Sequence, residues 1–277
     1  MMSEGFLSGG DVIKAYVKPY NTPWREVDAV DVGGLAVFEG CIILGTTDEV
    51  RDNHALLSDK VQTAPQLLTD ARVETRGAGI VGAQYRWRNR TVPFVIAPDV
   101  PHRERIDQAI AHWHEKTSLR FVPRTSETDF LFFKRDQRGC ASMVGRRGGM
   151  QAIILGDQCS RGNITHELGH AIGLWHEQSR VDRDAHVEIV HDNIRPDAAP
   201  NFEQRIVETK DLGEYDFGSI MHYPPDAFAV ASGEITIRPK RPLRPGVIMG
   251  QRQALSEGDI AAVNALYADQ PMPARDG

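Results

Sequence analysis

Three histidines, a glutamate and a glycine stand in this chain at the spacing that metal-assisted hydrolysis requires: His166-Glu167-Leu168-Gly169-His170, then Gly173 and His176. His166 and His170 are four positions apart, so on a helix their imidazoles share one face and grip one metal, while Glu167 points beside it. Gly173 accepts at little cost the left-handed conformation that ends a helix and turns the chain back, which returns His176 as a third ligand. Three protein ligands leave the fourth position of a tetrahedral zinc to water, whose pKa on zinc drops to about 7. Glu167 would take the proton of that water and hand it to the leaving amine, while the metal stabilises the oxyanion. The pattern is that of peptide-bond hydrolysis by one zinc ion. A bare HExxH arises by chance, but a third His, the glycine and a downstream Met221 element, Ser219-Ile220-Met221-His222-Tyr223, make that reading untenable here.

The elements that must hold these groups are legible in outline. Thr91 to Ile96 reads as a strand, and Ile106, Ile110 and Trp113 fall at helical spacing. Phe130 to Lys134 and Ala152 to Leu155 read as further strands ahead of the metal-binding helix, with Asn163 as the expected cap. Beyond Trp175 the chain is rich in turn residues, and a last helix is expected from Glu257 to Tyr267. Residues 1 to 76 read as turns and short apolar strips. The layout is α+β, with a cleft between an amino-terminal sheet half and a more irregular carboxy-terminal half.

Glu177 directly after the third His and the segment Tyr215-Asp216-Phe217-Gly218-Ser219-Ile220-Met221-His222-Tyr223 resemble the astacin family of metzincin zinc endopeptidases. The likeness runs from residue 85 to 267, through Trp87 to Ile96, Arg120 to Arg124, Cys140 to Gly149, Arg183 to Ile194, Leu255 to Asp259, and Leu266-Tyr267. It implies a zincin-like catalytic domain of two subdomains flanking the cleft. It also implies roles for individual residues. Met221 would lie beneath the metal as an apolar base, and Tyr223 would be the tyrosine that can ligate zinc and swing away to bond the transition state. Glu177 would be buried and bonded, through water, to an amino terminus created when a propeptide is removed.

A propeptide fits the sequence. Gly79-Ile80-Val81-Gly82, with Tyr85 and Trp87, resembles the family's mature amino terminus, which places processing near Arg76-Gly77-Ala78 and divides the chain into a propeptide, 1–77, and a catalytic domain, 78–277. An Arg among small residues suits a trypsin-like activating protease. The family's propeptides carry Phe-x-Gly-Asp, with the Asp on zinc, whereas this chain reads Phe38-Glu39-Gly40-Cys41. A thiolate is an excellent zinc ligand, so Cys41 is expected to close the site until the propeptide leaves, a cysteine switch. The alternative is an inert buried thiol in the apolar Ile42-Ile43-Leu44 run, or one available for dimers.

Cys140 and Cys159 match one of the family's two disulfides, which leaves Cys41 as the odd cysteine of three. The other cross-link is absent at both ends: Ser118 stands where a Cys is usual, and no Cys follows Tyr267. One missing disulfide forfeits about 2 to 4 kcal/mol, to be recovered elsewhere.

Composition bounds the remaining readings. With 277 residues, 41% hydrophobic and 25% charged, the chain has ample length for a core and an extension, and its formal charge of −6 offers nucleic acid no electrostatic attraction. No apolar run is long enough to span a bilayer, and no signal peptide is visible at Met1 to Leu7. An extracellular, secreted location is expected from the disulfide and the family. The expected partners are protein or peptide substrates, the propeptide in cis and the activating protease; the expected cofactor is one zinc ion. Substrate is expected to pair as an extended strand along the edge near Cys140 to Gly145. A catalytically silent zinc protein that binds peptides or matrix is the alternative reading, and a related hydrolase with another target is a third. Arg146-Arg147-Gly148-Gly149 reads as a turn, His112, His114 and His222 as structural, and the sequons at Asn89 and Asn163 as weak signals.

Overall fold

The computed structural model describes residues 5–7, 9–17, 25–63, 79–80, 82–204, 209–210 and 212–272. The expected processing site, Arg76 to Ala78, lies outside the described residues. Alternating side chains bury Ile13 and Ala15 in β1 (Val12–Val17), which pairs antiparallel with β2 (Arg25–Val32). β3 (Leu35–Phe38) and β4 (Ile42–Thr46) extend this antiparallel run, and Glu39-Gly40-Cys41 forms the tip of their hairpin. Then α1 (Thr47–Thr63) follows, opened by reciprocal bonds in which Thr46 Oγ1 accepts from the Glu49 amide and Glu49 Oε2 from the Thr46 amide. Residues 12–17 and 25–63 therefore form four strands and a helix rather than the turns and strips expected, and the Thr46-x-x-Glu49 pair is the local signal for the helix.

After β5 (Gly79–Ile80) come β6 (Thr91–Ile96), α2 (Glu104–Lys116), β7 (Arg120–Pro123), β8 (Phe130–Arg135), β9 (Cys140–Ser142), β10 (Met150–Leu155) and α3 (Arg161–Ile172). The carboxy-terminal half contributes β11 (Val187–Ile189), β12 (Thr209–Lys210), β13 (Ile237–Pro239) and α4 (Glu257–Leu266). All of these strands except β5, β11, β12 and β13 join one nine-stranded sheet, in the order β1-β2-β3-β4-β9-β10-β8-β6-β7. The amino-terminal meander is thus joined to the rest of the sheet by a single pairing, β4 beside β9, with Ile42 opposite Ser142 in parallel.

Helix α3 is buried from Gly162 to Ile172, and Ile164, Leu168, Ala171 and Ile172 sit in one core with Trp113 and Phe133. A helix enclosed on all sides cannot tilt, which is what an array of metal ligands needs. Its cap is Ser160, whose Oγ accepts from the Asn163 amide while Asn163 Oδ1 accepts from the Ser160 amide. Asn163 therefore supports the cap from inside the first turn instead of being the cap, and its burial at 4% exposure closes that sequon to glycan. The indole of Trp87 donates to Ala171 O at 2.8 Å and the phenol of Tyr267 to Ile172 O at 2.9 Å, so residues 180 apart in the chain fasten the helix's last turn.

The Cys140–Cys159 disulfide is present, with Cα atoms 6.1 Å apart, and ties the start of β9 to the loop before α3. Where the second family cross-link is missing, Arg90 spans the gap. Its Nη1 donates to Ser118 Oγ at 2.5 Å, and its Nε and Nη2 donate to Gln270 O at 3.1 and 3.0 Å. A guanidinium fork joins the same two stretches that a disulfide would have joined.

Candidate metal centre

Helix α3 places His166 and His170 one turn apart, with ring centroids 4.6 Å from each other. Gly173 ends it in the left-handed conformation, φ 113° and ψ 13°, and its amide returns to the carbonyls of Gly169 and His170. The reversal brings His176 Nε2 to 3.2 Å from that of His166 and 3.3 Å from that of His170. Cys41 Sγ completes the set at 3.5, 3.3 and 3.3 Å from the Nε2 atoms of His166, His170 and His176. All four donors are buried and lie within 4.8 Å of one another.

These edges test the fit to zinc. Bonds of about 2.0–2.1 Å to nitrogen and 2.3 Å to sulfur give tetrahedral edges of roughly 3.3 Å between nitrogens and 3.6 Å between sulfur and nitrogen. The donor set matches in type and in size. The tautomers also match, because each Nδ1 is engaged outward: His166 with Ile220 O at 2.8 Å, His170 with Leu174 O at 2.8 Å, and His176 with Glu39 Oε2 at 2.7 Å. Nδ1–H donating in each leaves the Nε2 lone pair facing inward. Burial holds His166 and His170 well below the usual imidazole range, which favours the neutral, metal-binding form.

Glu167 is buried at 2% exposure, and its Oε2 accepts no hydrogen bond from the described residues. Burial pushes its carboxyl well above the usual range, and the charge of Arg252 opposes that shift. Met221 is buried against α3: a Cβ at Gly169 would lie 2.7 Å from its Sδ, so this glycine is what lets the methionine pass under the helix. The turn carrying Met221 is braced by Asp259, which accepts from Ser219 Oγ at 2.6 Å and from the Ile220 amide at 2.9 Å. Asp259 thereby steadies the carbonyl that orients His166.

The hairpin tip that delivers Cys41 is made by two consecutive left-handed residues, Glu39 at φ 46° and Gly40 at φ 67°. Glu39 has a place in the site for which the sequence held no signal beyond its position in the motif. It is fully buried, accepts from Ser179 Oγ at 2.8 Å as well as from His176, and its carbonyl accepts from the Tyr223 phenol at 2.6 Å. Tyr223 itself packs beside His176, ring centroids 4.7 Å apart. Glu177 is buried too, with Oε1 accepting from Arg180 Nη1 at 3.1 Å and from the Asp216 amide at 2.8 Å. Burial raises its pKa to about 8 against the pull of Arg180.

The edge of β9 is covered. The Ser142 amide donates to Cys41 O at 2.9 Å and the Cys140 amide to Gly5 O at 2.8 Å, so the amino-terminal segment occupies the strand edge expected to receive substrate. Other histidines stand apart from the centre. His114 Nε2 accepts from the Phe121 amide, His112 Nε2 from the Leu255 amide, and His222 bonds Tyr215 and Tyr223 within its turn.

Residues 80–268 match the family model for the astacin peptidases. The chain belongs to the astacin family. It is 44% identical over 190 residues to mouse Tolloid-like protein 2, covering 65% of this chain and 19% of that protein. It is 43% identical over 190 residues to Bone morphogenetic protein 1 of Xenopus laevis, covering 65% of this chain and 27% of that protein. The chain thus spans about a fifth to a quarter of these curated relatives. Among solved structures it superposes on high choriolytic enzyme 1, a hatching-enzyme zinc protease of the medaka Oryzias latipes, with a TM-score of 0.60 and 36% identity, covering 72% of this chain and 98% of that one. The astacin match begins at residue 80, so the meander and α1 lie before it.

Proposed function

We propose that the chain is a zinc endopeptidase made as a latent zymogen, with residues 1–77 as propeptide and 78–277 as catalytic domain. The observation that carries this reading is the closed donor set, three histidines of the astacin segment and Cys41 from before it, beside a buried Glu167. When bound, zinc supplies the Lewis acidity that polarises a carbonyl and activates water at neutral pH. Glu167 acts as general base and then as acid toward the leaving amine, its Oε2 being available for a proton. Tyr223, released from Glu39 O, turns its phenol to the oxyanion. Met221 and Gly173 support the ligand array, and Glu177 exchanges part of its present bonding for the freed amino terminus.

In the latent form Cys41 takes the position that the nucleophile needs, and the hairpin tip with Gly5 takes the β9 edge that substrate needs. Substrates are proteins or peptides bound as an extended strand on β9. The disulfide and the family favour an extracellular site of action. Among the described residues no helix is long and apolar enough to cross a membrane.

The test is casein hydrolysis by two zinc-loaded preparations, the full chain and the chain cut after Arg76 and freed of its amino-terminal piece. Activity in the cut form alone, abolished by chelator, is expected. Silence in both, with zinc bound and the fold intact, would favour the peptide-binding alternative.

A further inference from the structure

We propose that Phe202, Tyr223 and Phe228 form a subsite for an aromatic side chain of the substrate, and that Phe6 fills it in the latent chain. The inference rests on the proteolytic reading above and extends it to selectivity.

The three rings make a corner in the carboxy-terminal half. Phe202 meets Tyr223 and Phe228 edge-on, at 5.9 and 6.1 Å between centroids. Tyr223 and Phe228 are 5.7 Å apart and tilted, and Phe6 lies against both. It stacks on Phe228 at 4.7 Å with 19° between planes and meets Tyr223 at 4.9 Å and 56°. Offset stacking on one wall and a tilted contact on the next are arrangements that aromatic quadrupoles favour, so the corner selects a flat ring over a branched aliphatic of similar size.

The walls are held from behind. Phe228 adopts a left-handed backbone, φ 55°, which is unfavourable for a residue with a Cβ. The Arg195 amide donates to its carbonyl at 3.0 Å, and Ile194 bridges to Ala229 beside it. The ring is thus aimed at the cleft by backbone outside the amino-terminal segment, and it stays in place when that segment leaves.

Phe6 enters the corner from a short segment that follows Gly5, left-handed at φ 71°, and that is bonded on either side of the ring. Gly5 O accepts from the Cys140 amide at the start of β9 at 2.8 Å, and the Leu7 amide donates to Gly40 O at 2.7 Å. The same β9 edge is the one proposed for substrate. Gly40 leaves the room for this packing: a Cβ there would lie 2.6 Å from Phe228 Cζ and 3.2 Å from Phe6 Cδ1. The Tyr223 wall stands 4.7 Å from the His176 ring, so a side chain in the corner belongs to a residue near the bond cut. Gly5 pairs with Cys140 and Cys41 with Ser142, which displaces Phe6 from the metal toward the start of β9. A peptide antiparallel to β9 would therefore carry the aromatic residue carboxy-terminal to the scissile bond.

The test uses the chain cut after Arg76 and freed of its amino-terminal piece, with matched peptides in which Phe or Ala is scanned through the positions on either side of the cut. Phe is expected to raise kcat/KM about tenfold at a position carboxy-terminal to the cut, the scale of one well-packed aromatic contact. In Phe228→Ala that ratio is expected to fall to near one, and in Phe228→Tyr, which keeps the ring, to persist. Casein hydrolysis by the same preparation tests proteolysis itself, so its failure and that of the subsite are told apart. A second measurement needs neither catalysis nor folding of a Phe228 variant: after the cut, the amino-terminal piece from Phe6→Ala is expected to dissociate several-fold faster on size exclusion than the parent piece or Phe6→Trp. Equal cleavage of Phe and Ala peptides at every position, selectivity that survives Phe228→Ala, or unchanged release of the Phe6→Ala piece would each overturn the proposal.

Discussion

His166 and His170 are aimed by carbonyls of the astacin-matched stretch, Ile220 O and Leu174 O, whereas His176 is aimed by Glu39, 137 residues away in the amino-terminal segment. The first pair keeps its orientation whatever happens to residues 1–77. The third ligand borrows its orientation from the piece that is proposed to leave, and from a carboxylate, a stronger partner than a carbonyl. Latency on this reading is more than a thiol placed over a metal. The hairpin tip supplies a fourth ligand from Cys41, and a brace for the third ligand and an acceptor for Tyr223 both from Glu39.

That contrast can be broken at either end. The largest effect is expected from Glu167→Gln in the cut chain, which belongs to neither brace: hydrolysis should fall by about 10²- to 10⁴-fold with zinc retained, read by peptide turnover alongside metal analysis. Cys41→Ala in the full chain removes a ligand and should weaken zinc retention against a competing chelator by more than about tenfold. The cobalt-substituted form should lose its thiolate charge-transfer absorption. A full chain whose cobalt spectrum is the same with and without the thiol would sink the switch. Because Gly5 and the hairpin also cover β9, Cys41→Ala alone should release less activity than the cut does.

Glu39→Gln removes the borrowed brace and leaves the other two ligands untouched. It should lower zinc affinity of the full chain by roughly 10- to 100-fold, the usual effect of losing an outer carboxylate, and leave the cut chain unaffected once the amino-terminal piece is gone. Equal affinities for parent and variant full chains would mean that Glu39 only packs. The smallest effect is expected from Arg90→Ala, which should destabilise full and cut forms alike by about 1–2 kcal/mol through loss of its bonds to Ser118 and Gln270, measured by denaturant unfolding. A paired Ser118→Cys and Gln270→Cys variant asks whether a disulfide can replace the fork.

Legibility in the sequence followed the range of the interactions. The ligand triad, the glycine that ends α3, the strands at Thr91 and Phe130 and the last helix were readable because each depends on neighbours a few residues away. The Cys140–Cys159 disulfide that the resemblance implies is present. The amino-terminal meander is not legible in the sequence because short strands with mixed burial look like loops until a partner strand is known, and α1 is hidden by its weak amphipathic pattern despite its cap pair. The cap of α3 was misplaced by three residues because Ser160 and Asn163 share one reciprocal motif.

HExxH, the turn glycine and the third histidine are local in the chain, and helix geometry converts their spacing directly into a metal-binding face, so the ligand array is legible from residue order alone. What closes the site emerges from long-range packing. Cys41 to His166, Glu39 to His176 and Phe6 to Phe228 are meetings across more than a hundred residues, set by the pairing of β4 with β9 and by the bond from the Cys140 amide to Gly5 O. No periodicity encodes such a meeting, because it exists only where two stretches distant in the chain come together in the folded structure.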